Sequence, residues 1–342
     1  MPTARWGYDC GPAWDAVITW LPLALYQYRG DRAHLADNAG AILRHLDYLA
    51  GKTGPDGLVS YGLGDWCPAG RQPQEYKAPV PLVNTLASMD SCAKAAAVFG
   101  ILGQPARQAF AEGLRQGFRQ AARTRLVDWS RMEAAGRCQT SQAMALHGGL
   151  FDPAEQAEAF RALLGIIRRD GEFLDVGVLG GRVLFHVLAD RGAVDLALKM
   201  ILRPEFPSYG WWVAQGATTL WEDFKRDTAA PNSMNHHFWG DISHFFLRHL
   251  AGIHYNPRLA GREADLRPQF AKALSWAEGF HRAPEGEIRV RWERVPDGVS
   301  LEARVPAGLA GVLAAPPGYL FADGLSQKPL AAGAYALRAE PA

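Results

Sequence analysis

Between Tyr209 and Asp241 the chain reads YGWWVAQGATTLWEDFKRDTAAPNSMNHHFWGD. One carboxylate, Glu222, sits there among Trp211, Trp212, Trp221 and Trp239, and His236 and His237 follow it. Indole rings offer flat apolar faces on which a pyranose can stack, Asn and His side chains reach its hydroxyls, and a carboxylate moves protons. The grouping predicts a sugar-processing pocket in which Glu222 activates water as a general base. The competing reading is that the tryptophans pack a core and that Glu222 is a solvated carboxylate near a helix end. Two details favour the pocket: Glu222 directly follows the apolar run GATTLW, and a polar Ser233-Met234-Asn235-His236-His237 knot follows a loop. A buried glutamate ending an apolar helix is costly unless it is paired or used.

Three further groups could serve such a pocket. Asp65 lies in Gly64-Asp65-Trp66, within a Gly-rich loop, where it could grip sugar hydroxyls or cap a turn. In Asp9-Cys10-Gly11-Pro12-Ala13-Trp14-Asp15, Trp14 could stack on a ring while Asp9 or Asp15 caps the first helix. His236 and His237 could donate to a hydroxyl or to the carboxylate, or simply bond backbone. Other chemistries are unsupported: the chain contains no GxSxG elbow, no GxxxxGK[ST] loop, no HExxH and no EF-hand pattern. Gly177-Val178-Leu179-Gly180-Gly181 lacks the context of a dinucleotide fingerprint and reads as a tight turn between helices.

The elements that must position these residues are mostly helical. From Gly11 to Ile253 apolar residues recur at helical spacing between Gly, Pro and Asp breaks. The pattern predicts helices over 15–28 (with Pro22 inside), 32–50, 82–102, 105–126, 141–146, 153–168, 181–190, 193–202, 218–224 and 238–252. The irregular stretch from Gly51 to Pro81 is long enough to be functional. Successive hairpins joined by such loops predict a barrel of paired helices with its site on the rim. Near Tyr255 the pattern shifts to short alternating runs, EIRVRWERV and VSLEARV among them, separated by Pro and Gly turns. Two domains are expected, a helical one over 1–255 and a small antiparallel β-domain over 256–342.

With 36 Lys+Arg against 35 Asp+Glu, the formal charge of +1 gives no footprint for nucleic acid or an anionic membrane. No apolar run reaches the ~18 residues of a spanning helix. The four cysteines, Cys10, Cys67, Cys92 and Cys138, lack zinc-ligand spacing, so no metal or cofactor is implied, and reduced thiols fit a cytoplasmic chain.

Five stretches in order, GYDCGPAWDAVITWLPLALYQYRGD, VSYGLGDWCP, TSQAMALHGGL, the YGWWVAQGATTLWE run and SMNHHFWGD, make the chain resemble the bacterial α-L-rhamnosidases. The resemblance spans about residues 7–253. It implies a six-hairpin (α/α)6 barrel followed by a C-terminal β-sandwich, and inverting hydrolysis of terminal α-L-rhamnosyl linkages in a rhamnose-containing oligosaccharide or glycoside. It also implies Glu222 as the general base, with Asp65, Trp66, Trp14, Asn235 and His236 around the sugar, to which the aromatic cluster around Glu222 adds Trp212 and Trp221 as expected contacts. The family's general acid belongs to a DCPxR[ED] motif upstream of the PAW segment, and no such motif occurs here. Asp9-Cys10-Gly11-Pro12 echoes it but lacks the Arg and Glu. The expectation is therefore a fragment or natural truncation with an incomplete barrel and impaired activity, and a longer parent could be periplasmic or secreted. Two other readings are a non-catalytic carbohydrate-binding remnant and an unsaturated-uronide hydrolase on a similar barrel. The latter needs basic residues in the pocket, where only Lys225 and Arg226 are on offer, both expected to face solvent.

Overall fold

A computed structural model describes residues 10–226, 232–257 and 262–339. The helices in chain order are α1 (Pro12–Asp15), α2 (Val17–Arg29), α3 (Arg32–Gly51), α4 (Val80–Ile101), α5 (Pro105–Arg125), α6 (Gln139–His147), α7 (Gln156–Arg169), α8 (Val178–Asp190), α9 (Val194–Leu202), α10 (Tyr209–Ala214) and α11 (Asp241–Phe245). A π-helical turn, Phe246–Leu250, continues α11. The strands are β1 (Val127–Asp128), β2 (Glu133–Ala134), β3 (Ile253–Pro257), β4 (Arg262–Leu266), β5 (Trp276–Ala283), β6 (Gly286–Val295), β7 (Gly298–Arg304), β8 (Val312–Ala314), β9 (Tyr319–Phe321), β10 (Gln327–Pro329) and β11 (Gly333–Ala339). The architecture is the expected one, helical hairpins followed by a small sheet domain. Among the described residues no helix is long and apolar enough to cross a membrane.

The chain divides into two compact units. The first comprises Met1–Tyr26, Asp31–Val187 and Met200–Trp239; the second comprises Gln27–Gly30, Leu188–Lys199 and Gly240–Ala342. In the first, local chemistry accounts for the helices. Asp31 caps α3 by accepting from the His34 amide at 2.9 Å, and Leu35, Ala39, Ile42, Leu46 and Leu49 form its single buried face. α4 buries residues all around its circumference, as a central helix must. At its end Gly103 adopts φ +69°, the Gln104 amide bonds the Phe99 carbonyl at 2.9 Å, and Pro105 starts α5, so a tight hairpin results. The stretch expected to be irregular is so, with no helix between α3 and α4.

Three expectations change. Residues 218–224 are not helical. Thr218 and Thr219 are poor helix formers, and the backbone groups of Leu220 and Glu222 bond instead to the 233–236 segment. Conversely, α10 forms unannounced, because the Ser208 hydroxyl accepts from the Trp211 amide at 2.9 Å and caps it. The glycine run at 177–181 is the start of α8 rather than a turn between helices.

In the second unit, one sheet has the order β10-β8-β4-β3 and the other β5-β6-β7-β11-β9. Pro284 and Pro296 open the two-residue turns of the β5-β6-β7 meander, each followed two positions later by glycine, the Pro at i+1 and Gly at i+3 of a tight turn. Alternation then sends Ile288, Val290 and Trp292 of β6, with Val299, Leu301 and Ala303 of β7, into the core. The expected purely antiparallel pairing fails once: β4 meets β8 in parallel at Leu266 and Leu313. The long connection between them, which contains the meander, supplies the crossover that parallel strands need. Trp292 is fully buried and donates its indole N–H to the Leu250 carbonyl at 2.7 Å. Trp292→Ala is expected to lower stability by about 3–5 kcal/mol in urea denaturation; a loss below ~1 kcal/mol would show that the sandwich does not pack around this ring.

Candidate active site

Two glycines bring the N-terminal segment to the long loop. Gly62 (φ +92°) approaches Gly11 so closely that a Cβ on it would lie 2.5 Å from the Gly11 Cα, and the Leu63 amide bonds the Cys10 carbonyl at 2.9 Å. α4 holds the loop from beneath. Asn84, fully buried, donates to the Tyr61 carbonyl at 2.6 Å, and the Val59 amide donates to the Thr85 hydroxyl at 3.0 Å.

Asp65 then enters the interior, with 2% of its surface exposed. Its carboxylate accepts the amides of Gly177 at 2.6 Å and of Leu179 and Gly180 at 2.9 Å each, together with the Thr140 hydroxyl. This is an anion seated on the N-terminus of α8. Burial pushes its pKa up, while the four hydrogen bonds pull it down. Because a carboxylate has about four acceptor positions, Asp65 has none to spare for a sugar, and the expectation of a sugar contact is corrected to that of a loop anchor. Gly177 is obligatory beside it: a Cβ there would stand 2.1 Å from the Asp65 carbonyl oxygen.

The tryptophan cluster divides in two. Trp212, Trp221 and Trp239 are buried at 2%, 5% and 2% exposure. Trp212 stacks on Phe224 at 3.8 Å with 9° between the rings, and Trp239 meets Phe224 edge-on at 4.9 Å. For Trp212 and Trp221 the burial and the ring contacts favour the core reading over the sugar-stacking one. Trp14 and Trp66 are only half-buried. Trp14 packs edge-on against Phe238 at 6.0 Å, and Phe238 in turn touches His236 at 3.9 Å. The Trp14 indole N–H is buried without a protein acceptor.

Glu222 rides on the buried aromatic cluster. The Trp239 indole N–H donates to its carbonyl at 3.1 Å, and its own amide donates to the Ser233 carbonyl at 2.8 Å. Two residues on, the Phe224 carbonyl accepts from the Gly70 amide at 3.1 Å, tying this arm to the Asp65 loop. The Glu222 side chain is half-buried, between the fully sunk and the fully solvated readings. Cys67, in the loop, feels this neighbourhood: burial pushes its thiol up to about 12, and the charges of Asp223 and Glu222 push the same way. In the following segment Asn235 is exposed, and His236 accepts the Phe238 amide on Nδ1 at 3.2 Å and stacks on exposed His237 at 4.9 Å. The structure thus groups Trp14 with His236, and Glu222 with the 65–71 loop. Asp15 lies inside α1, whose N-cap is Gly11, so it does not cap that helix. Asp9 lies outside the described residues.

Several residues that position the site carry no motif that spacing alone would flag. Asp223, 8% exposed, pairs with Lys225 at 3.1 Å and accepts from Asn232 at 2.7 Å. Lys225 is therefore engaged and not simply facing solvent, and Arg226 lies over the Phe206 ring at 4.5 Å. Asp175 binds Arg71 and Lys77 and accepts no sugar-directed role from the sequence. Gln142 of the TSQ stretch and Gln139 just before it, both fully buried, donate to the Ala159 and Phe173 carbonyls at 2.8 Å each. Their signal was a row of polar residues in a helix with no polar face.

Residues 1–250 match the bacterial α-L-rhamnosidase six-hairpin glycosidase domain, and 257–318 match the bacterial α-L-rhamnosidase C-terminal domain. The chain belongs to the bacterial α-L-rhamnosidases. An α-L-rhamnosidase of Streptomyces avermitilis is 30% identical over 314 residues, 89% of this chain and 28% of that protein. One from Alteromonas sp. (strain LOR) is 26% identical over 336 residues, 93% of this chain and 36% of that protein. The chain thus spans about a third of the length of the curated relatives it matches. Among solved structures, an α-L-rhamnosidase from Dictyoglumus thermophilum superposes with a TM-score of 0.86 at 23% identity, covering 98% of this chain and 40% of that one. The Streptomyces avermitilis enzyme in complex with L-rhamnose gives 0.81 at 25%, covering 94% and 32%.

Two outcomes test the rhamnosidase-fold site. Asp65→Ala strands three buried amides, each costing about 1–3 kcal/mol, so a stability loss of several kcal/mol is expected in calorimetry; an unchanged melting temperature would remove the anchor role. Burial pushes Cys67 and Cys92 up to about 12, far above the ordinary ~8.5. Iodoacetamide at pH 8 should therefore leave both unmodified in the native protein and label them after denaturation, as read by peptide mass spectrometry.

Proposed function

We propose that the chain carries the water-activating part of an inverting α-L-rhamnosidase, with Glu222 as the general base acting on terminal α-L-rhamnosyl linkages. The supporting observation is the setting of Glu222. Its backbone is clamped by Trp239 and Ser233 on a buried aromatic platform, while the residue as a whole is only half-buried. A general base needs that combination of fixed position and access to water. The L-rhamnose bound to the Streptomyces avermitilis relative supports the choice of sugar. Trp14, Trp66, Asn235 and His236 remain the candidate sugar contacts, and the Trp14 indole N–H is a donor in want of a hydroxyl.

Inversion places the acid and base carboxyls about 6.5–9.5 Å apart with the attacking water between them. Asp223 is not the acid, since its carboxylate is held by Lys225 and Asn232. The family's acid-bearing motif does not occur in the 342 residues, and acid assistance is worth about 10²–10⁴-fold. This polypeptide should therefore cleave an aryl α-L-rhamnoside, whose leaving group needs little protonation, faster than a rhamnosyl disaccharide by a factor in that range. Equal turnover of the two would contradict the proposal. Glu222→Gln should lower the aryl rhamnoside rate by about 10²-fold or more with the melting temperature unchanged; retained turnover would sink the base assignment. The first product seen by NMR should be the inverted anomer.

A further inference from the structure

The second unit contains a cavity of about 990 Å³, at the upper end of the ~300–1,000 Å³ typical of small-molecule sites. Its walls come from residues 189–195, the π-helical turn, β3, the 265–272 segment and the 314–319 turn. None of the residues around Glu222 contributes.

Seven charged side chains line it, and most are already committed. Asp195 accepts from the Lys272 amide at 2.7 Å. Asp265 accepts from the Val312 amide at 3.0 Å and pairs with Arg267 at 2.9 Å. Asp190 stands beside Arg191 and 4.0 Å from His249. Arg294 donates to the carbonyls of Phe270 and Leu274 at 2.7 and 3.0 Å. Two cations are left over. Arg248, half-buried, and Lys272, exposed, line the cavity, and among the described residues neither is ion-paired.

Four cations, Arg248, Arg267, Lys272 and Arg294, face three carboxylates, Asp190, Asp195 and Asp265, around it. Burial pushes His254 down to about 4, and Arg248 and Arg267 push the same way against Asp265, so the imidazole on this wall is neutral near pH 7. Opposite in character are Pro316, Pro317 and Tyr319, with the Tyr319 ring braced edge-on by Phe270 at 5.0 Å and 87°. Flat apolar groups suit the face of a pyranose, and an unpaired guanidinium with an ammonium suits a carboxylate. A neutral sugar would leave the half-buried Arg248 charge without a partner.

We propose that this cavity is a second carbohydrate site, one that takes an acidic oligosaccharide by pairing a uronate carboxylate with Arg248 and Lys272 and laying a sugar ring on Tyr319 and the Pro316-Pro317 surface. The site does not depend on hydrolysis at Glu222.

Titration calorimetry of the full chain at low salt with trigalacturonate, maltotriose and citrate tests it. Trigalacturonate should bind at least about tenfold more tightly than maltotriose or citrate, a difference of ~1.4 kcal/mol. Lys272→Glu should weaken trigalacturonate by a similar factor; because Lys272 is exposed, that variant folds even where Arg248→Ala does not. Tyr319→Ala should weaken trigalacturonate but not citrate. No binding of trigalacturonate, equal binding of maltotriose, equal binding of citrate, or an unchanged affinity in Lys272→Glu would each overturn the proposal.

Discussion

Sinking the Asp65 carboxylate into the first unit creates a demand for hydrogen-bond donors that the rest of the site is built to meet. The N-terminus of α8 supplies three amides and α6 supplies the Thr140 hydroxyl. Helix N-termini are suited to this, because their first amides have no intrahelical partners and carry the positive end of the dipole. Glycine at 177, 180 and 181 then becomes a steric necessity. A Cβ at Gly180 would stand 2.4 Å from the Thr140 hydroxyl, and one at Gly181 would stand 2.8 Å from the Trp239 ring. One buried charge thereby sets the closeness with which loop, helix and aromatic cluster meet.

From that anchor the position of Glu222 follows. The loop carrying Asp65 also carries Gly70, whose amide holds Phe224, and Phe224 is the ring on which Trp212 stacks. Trp239 closes the circuit by packing against Phe224 and bonding the Glu222 carbonyl. The tryptophans that drew notice as sugar platforms are mostly the mounting for the carboxylate. Their large buried area and edge-to-face contacts stabilise an arm that has no secondary structure of its own. Geometry held by packing is preorganised, which is the condition that the base role proposed for Glu222 requires.

The two units obey different rules. The first is a set of helices whose loops are held by buried polar residues, Asn84, Thr85, Gln139 and Gln142 among them, each bonded to backbone that would otherwise be unsatisfied. The second is a two-sheet core centred on Trp292, with alternation and Pro-Gly turns doing most of the specification. Its cavity is lined by Arg248 and Lys272, which among the described residues have no ion-pair partner.

Much of the architecture was legible in the chain itself. Helical periodicity, the Gly103-Pro105 punctuation and the later alternation act through nearest neighbours, so they place α3, α4, α5, β6 and β7 correctly within a few residues, while β5 is not read from its sequence. The ordered GDW, GATTLWE and NHH motifs likewise pointed to the family and to Glu222. What only the tertiary structure decided are matters of shared partners. Thr218–Phe224 is not helical because Ser233 and His236 compete for its backbone, α10 exists because Ser208 caps it, and β8 runs parallel to β4 because the chain returns from a distance. Asp65 and Trp212 look like sugar ligands in a motif, yet one spends its lone pairs on α8 and Thr140 and the other is buried against Phe224. Residue type states what a side chain can bond to; which partner it meets depends on segments more than a hundred residues away, as with Asp65 and Gly180.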